Sequence, residues 1–232
     1  MSLKFTFNRH EELKGQHALF SPSQSAWLRY DDNKIAERVR NQYRAPLGTE
    51  IHEFAAAQIE LNHKVSGVRI LAHDIENYIY AKYKNTSPTL ELTDYGLKLI
   101  QNVGYLPKEV FETVKFYVND GIGYKMSVEQ PLKYSEHVYG TADTIAFRDS
   151  LLRIHDLKTG ALPAHMEQLE TYAALFCLEY NIRPADIGFE LRLYQWDGIV
   201  VHKPTVEDIL PIMDRIVTTD KIAYDVEKED YR

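Results

Sequence analysis

Two apolar, β-branched runs separated by three polar residues constrain this chain more than any other feature. Val138 to Phe147 and Leu151 to Leu157 read as strands, and Arg148-Asp149-Ser150 between them leaves room only for a tight antiparallel hairpin. Turn length then sets the register. With Asp149-Ser150 as a two-residue turn, Arg148 faces Leu151; a four-residue loop in which Phe147 faces Leu152 keeps the same register. In both, Asp143 stands opposite Asp156 on one face, with Cβ atoms roughly 4.5–5.5 Å apart. A three-residue loop without a compensating bulge sends the two carboxylates to opposite faces.

Strand alternation adds a third group. Asp156 and Lys158 are two residues apart and point to the face that carries Asp143, while Leu157 points into packing. Two adjacent carboxylates in a partly dry site repel, and a hard divalent cation removes that cost. Mg²⁺ suits such a pair, because it takes oxygen ligands and commonly uses one or two carboxylates plus substrate phosphate. Lys158 beside it supplies a point charge for a developing oxyanion or for an attacking water. A single Asp-x-Lys is more often a weak exposed ion pair, so the second aspartate in register is what carries the chemical reading.

Further motifs surround this hairpin. Gly140-Thr141-Ala142-Asp143 precedes Asp156-Leu157-Lys158-Thr159-Gly160, Gln168 and Tyr172 follow four residues apart, and Gly48-Thr49-x-x-His52 lies upstream. In this order they resemble the PD-(D/E)XK nuclease superfamily, specifically its RecB-like and phage-type exonuclease branch, over roughly residues 21–196. The resemblance implies a restriction-endonuclease-like core in which Asp143, Asp156, the Leu157 backbone carbonyl and His52 hold one or two Mg²⁺ or Mn²⁺ ions. Lys158 then activates water, and Gln168 with Tyr172 positions the strand. Glu129, on the preceding strand, is a further candidate for the acidic cluster. Related exonucleases often form rings around DNA, which extends the expectation to a homo-oligomer and to a phage or bacterial recombination protein as partner.

Composition bounds the alternatives. A chain of 232 residues that is 44% hydrophobic can bury a sizeable core, and a single domain over 1–232 is expected, with 64–125 as a helical insertion covering the site. No apolar run approaches the roughly 18–20 residues of a membrane span, and no secretory signal is visible, so a cytoplasmic location is expected. One cysteine, Cys177, excludes an internal disulfide and the four-cysteine iron–sulfur site of some RecB-like relatives. Where those place a cysteine after a Trp-Leu pair, this chain has Trp27-Leu28-Arg29-Tyr30. The formal charge of −7 argues against a broad surface that coats nucleic acid, while leaving room for a local basic track. Arg29, Lys34, Arg38, Arg40 and Arg44 are candidates for phosphate contacts.

In chain order, Met1 to Gly15 reads as a loosely held arm. Ser21-Pro22-Ser23 starts a helix to about Tyr30, and a second covers Ile35 to Tyr43. Thr49 reads as the N-cap of a helix to about Asn62, with Ile51, Phe54 and Ala55 facing the core, His52 at the edge and Glu53 about 100° round. Helices follow over Val68 to Lys84, Tyr95 to Val103 and Lys108 to Tyr117, broken by a Thr86-Ser87-Pro88 loop. Tyr78, Tyr80 and Tyr83 there fit either base stacking or, more commonly, a core edge. Met126 to Tyr134 is a strand, and Pro163 opens a helix through Glu179, with Leu169, Ala173 and Phe176 as its packing stripe. Ile187 to Trp196 and Ile199 to Lys203 form a last hairpin around Asp197-Gly198, and Thr205 caps a helix from Val206 to about Thr219, followed by a charged tail.

Together these elements describe a mixed α/β (α+β) fold, a central mixed sheet flanked by helices. The expected activity is metal-dependent hydrolysis of DNA by an exonuclease of recombination and repair. A non-catalytic nucleic-acid-binding module on the same fold, a structure-specific endonuclease and an RNase are the alternatives.

Overall fold

Asp149 and Ser150 both adopt left-handed backbone, with φ of 50° and 56°, which is the two-residue turn whose twist matches the strands it joins. Strand β2 (Tyr139–Arg148) therefore pairs antiparallel with β3 (Leu151–Leu157) in the expected register, from Arg148 opposite Leu151 to Thr144 opposite His155. In the computed structural model residues 18–87, 89–160, 165–195 and 198–230 are described. The expected N-terminal arm, Pro88, Pro163 and the Trp196-Asp197 part of the last turn lie outside them. The chain divides after Arg44 into two compact units.

The first unit is short. A 3₁₀ segment, Pro22–Arg29, replaces the expected α-helical start, and Trp27 Nε1–H donates to the Ser21 carbonyl (2.9 Å). Helix α1 (Asp32–Asn41) begins where the Asp31 carboxylate accepts the Lys34 N–H (2.8 Å).

The second unit holds a five-stranded sheet in the order β1-β2-β3-β4-β5, with β1 at Ser127–Lys133, β4 at Gly188–Gln195 and β5 at Gly198–His202. All neighbours are antiparallel except β3 and β4, which run parallel and are joined through helix α6 (Glu167–Glu179). The fold is thus mixed α/β with a mixed sheet and flanking helices. On one face Leu152, Ile154, Leu191 and Leu193 pack with Leu169, Ala173 and Phe176 of α6 and with Ile209 and Ile216 of α7 (Val206–Asp230). Burying each leucine, isoleucine or phenylalanine of this set is worth about 1.5–3 kcal/mol. On the other face α5 (Lys108–Gly123) lies over β3 and β4.

Helices α2 (Arg44–Glu60), α3 (Val68–Asn85) and α4 (Asp94–Val103) precede α5. Thr49 is not an N-cap: α2 starts five residues earlier, and the Thr49 hydroxyl bonds back to the Ala45 carbonyl (3.4 Å). Pro46 permits this because the first turn of a helix has no N–H partner to lose. The core-facing set Ile51, Phe54 and Ala55 is buried as expected. Gly121 of α5 lets α2 approach, since a Cβ there would meet Ile59 at 2.7 Å. Tyr78 packs edge-on against Phe54 and Tyr83 against Tyr95, which makes both core-edge residues. Among the described residues no helix is long and apolar enough to cross a membrane.

The terminal helix corrects another expectation, since α7 runs on through the supposed charged tail. Its far half is anchored by His137 in the β1–β2 turn, whose ring nitrogens lie 2.9 Å from Asp220 and 3.2 Å from Glu227. Asp220, and then Glu227, hold the His137 pKa above its ordinary 6.5. The proton is thus bound more tightly in the folded state. The clamp is at full strength below pH 6.5 and is lost as pH rises through the higher folded value. Wild type is expected to melt higher than His137→Phe at pH 5.5 and to lose that advantage at pH 9, measured by thermal unfolding.

Candidate active site

The last paired residues of the β2–β3 ladder are Thr144 and His155; beyond them β3 stays paired with β4 as far as Leu157 opposite Tyr194. Asp143 and Asp156 sit where the β2–β3 ladder ends. Asp143 Oδ2 accepts the Leu157 N–H (3.1 Å) and lies 3.3 Å from His52 Nδ1, so α2 delivers its histidine to the strand end. Asp156 is 1% exposed. The Lys158 ammonium lies 3.1 Å from its Oδ1 and 2.9 Å from its Oδ2, the latter off the hydrogen-bonding direction, so that Oδ2 accepts no hydrogen bond. Lys158 Nζ also donates to Gln168 Oε1 (3.0 Å), and Gln168 Nε2 donates to the Tyr172 hydroxyl (3.4 Å). The i, i+4 spacing on α6 thus places amide and phenol together, as the sequence predicts.

Charge in this corner is unbalanced. Burial, and then the neighbouring Asp143, push Asp156 up to about 6 against the pull of Lys158. Burial and Asp143 likewise raise Glu129, and burial with Asp143 holds the Tyr117 phenol well above its usual range. Three carboxylates face one ammonium and one imidazole. Among the described residues no three His, Cys, Asp or Glu side chains stand at ligand spacing, the aspartates being drawn instead to Lys158, His52 and the Leu157 N–H. Even so, the donors fit a divalent cation. A buried carboxylate oxygen lacks a hydrogen bond, its neighbour repels it, and oxygen ligands with one nitrogen suit Mg²⁺ or Mn²⁺. Asp143 and Asp156, with His52 and Glu129 beside them, are the residues that could hold one.

Several contributors were not legible in the sequence. Ala142 and Ile145 have opposite strand parity yet belong to one core cluster, so the alternation slips between them, next to Asp143. Glu129, at the facing position in β1, takes the left-handed φ of 46° that accompanies the slip. Two glycines seat the site residues: a Cβ on Gly140 would meet the Tyr172 ring at 2.9 Å, and one on Gly48 would meet Thr159 Oγ1 at 2.8 Å. The glycine of the α2 motif therefore packs on the strand-end motif.

Behind β3, facing α5, lies a buried polar network. The Tyr194 hydroxyl donates to Asp120 (2.6 Å) and lies 3.3 Å from His155 Nδ1, while Arg192 pairs with Asp120 (2.9 Å), Glu190 (3.1 Å) and the Tyr124 hydroxyl (2.8 Å). Burial, reinforced by Arg192 and Arg153, drives His155 down to about 3, so its ring is neutral. The Lys158 N–H donates to the Tyr194 carbonyl (2.8 Å), which ties the lysine's backbone to this braced strand.

All the residues gathered at the strand end lie within the span of one family profile, "Protein of unknown function (DUF2800)", which matches residues 17–180. The chain belongs to the DUF2800 family. The match takes in α1 through α6 and leaves β4, β5 and α7 outside it. No curated protein matches the chain.

Proposed function

We propose that this DUF2800 chain is a metal-dependent deoxyribonuclease built on a restriction-endonuclease-like core, an exonuclease of DNA recombination or repair. The observation that carries the reading is the continuous set Asp143, Asp156, Lys158, Gln168 and Tyr172. One buried aspartate is pressed by a second, an ammonium lies against it, and an amide and a phenol extend that line outward. Bound at Asp143 and Asp156, a divalent cation would supply Lewis-acid stabilisation of phosphoryl charge. Lys158 orients the attacking water and offsets charge on the phosphoryl oxygens, and Gln168 holds the ammonium in place. The Tyr172 hydroxyl donates to the DNA backbone at the outer end of the line.

Incubation of the full chain with labelled linear and circular DNA, in Mg²⁺ or in EDTA, tests the reading. Mg²⁺-dependent release of nucleotides from linear DNA is the expected result, and intact DNA under all conditions would refute it. Gly140→Ala offers a finer check, because the added methyl must displace the Tyr172 ring. A misplacement of about 1 Å is expected to cost roughly 10²-fold in cleavage rate, measured against wild type on the same linear substrate.

A further inference from the structure

Part of one face of the sheet is exposed, on the β1–β2 ribbon. Leu132 and Ala142 turn one side of the β1–β2 ribbon into the α6 core, whereas Pro131, Lys133, Tyr139 and Thr141 are all exposed, and α5 lies over β3 and β4 instead. The register sets Lys133 opposite Tyr139 and Pro131 opposite Thr141, so the four form two adjoining cross-strand pairs. Next along the ribbon come Glu129 and Asp143, at the candidate active site. Tyr139 is 69% exposed. Among the described residues the Lys133 ammonium has no ion pair and the Tyr139 ring no aromatic or cationic partner. Tyr139 and Asp143 are four strand steps apart, about 13 Å at the usual rise.

An unattached flat ring, a free cation and a hydroxyl in a row, ending at a cluster of carboxylates, match the chemistry of an unpaired nucleic-acid strand. Every base offers a π-face to such a ring, and the phosphates offer charge to the ammonium. A duplex hides its base faces in the stack and gains nothing from Tyr139. We propose that the exposed face of the β1–β2 ribbon is the track for an unpaired DNA strand, with Tyr139 stacking on a base and Lys133 pairing with a phosphate as the strand runs toward Asp143 and Asp156. This rests on the nuclease reading and adds to it the form of the substrate and two positioning residues.

The test is binding of fluorescent oligodeoxythymidylate to the full chain in EDTA, where cleavage does not enter. Tyr139→Ala is expected to weaken binding about 5- to 150-fold, the range for loss of one stacked base, and Tyr139→Phe to retain it. Lys133→Ala is expected to lower the slope of log affinity against log salt by about 0.7, the value for one single-strand phosphate. Tyr105→Ala removes an even more exposed ring (83%) outside the ribbon and serves as the control. Unaltered binding by Tyr139→Ala overturns the track, as does an equal loss on a duplex probe or on the Tyr105 control. Cleavage by wild type alongside unaltered Tyr139→Ala binding would sink the track and leave the nuclease standing. Tyr139-dependent binding without cleavage would do the reverse.

Discussion

Asp156→Asn is expected to abolish Mg²⁺-dependent DNA cleavage, by about 10³-fold or more, while the melting temperature holds or rises. The two halves of this result have one cause. Burial and Asp143 disfavour the Asp156 charge and lift its pKa to about 6, so the ionised carboxylate is a cost to the fold at neutral pH. An asparagine of the same shape removes that cost together with the ligand. Lys158→Ala is expected to lose activity to a similar extent, since among the described residues no other ammonium touches Asp156. Cleavage rates on linear DNA and thermal unfolding of the same preparations supply both readouts. Wild-type rates in either variant would dismiss the assignment, and a collapse of stability in Asp156→Asn would show the carboxylate to be structural.

Lys82→Ala is expected to cost about 3–5 kcal/mol. Glu50 is 4% exposed within α2, and its two oxygens take hydrogen bonds from the Lys82 ammonium (3.0 and 2.8 Å) and one from the Tyr83 hydroxyl (2.8 Å). Lys82 also reaches Glu53, whose pKa it lowers, chiefly through that hydrogen bond. Removing the lysine strands a buried carboxylate between helices α2 and α3. For a unit of this size the loss corresponds to roughly 6–20 °C in melting temperature. Pairing the change with Glu50→Gln is expected to restore much of it, because the cost lies in the unpaired charge and not in the missing contact. A melting temperature of Lys82→Ala within a degree of wild type would show that water solvates Glu50.

Much of the site was legible because its parts are local. A two-residue turn is enough to set the register that ends at Thr144 opposite His155, one step short of Asp143 and Asp156, and Lys158 follows two residues on. Helical spacing brings Gln168 to Tyr172. The parts that were missed depend on chain segments far apart. Thr49 looked like a cap because Pro46 and Gly48 read as a break, yet the Pro46 ring fits the first turn of α2 and Gly48 is needed where Thr159 comes close. Residues 220–230 looked like a solvated tail because their apolar content is thin; His137, more than 80 positions earlier in the chain, holds them as helix. The slip beside Asp143 is not announced by the sequence, since Ala142, Asp143, Thr144 and Ile145 are all buried or half-buried and leave no alternation to read. The network behind β3 draws Asp120, His155 and Arg192 from three separate elements, and no spacing announces it.

The parallel pairing of β3 with β4 dictates an order of assembly. The β2–β3 hairpin needs only its own turn to zip, an event of microseconds, whereas Leu151 meets Gly188 only after all of α6 has been made and docked. On a ribosome the hairpin therefore forms first, while the hydrogen bond from Lys158 to the Tyr194 carbonyl waits for residues synthesised more than 30 positions later. The nascent chain thus forms the β2–β3 hairpin well before it fixes the backbone of Lys158 beside it.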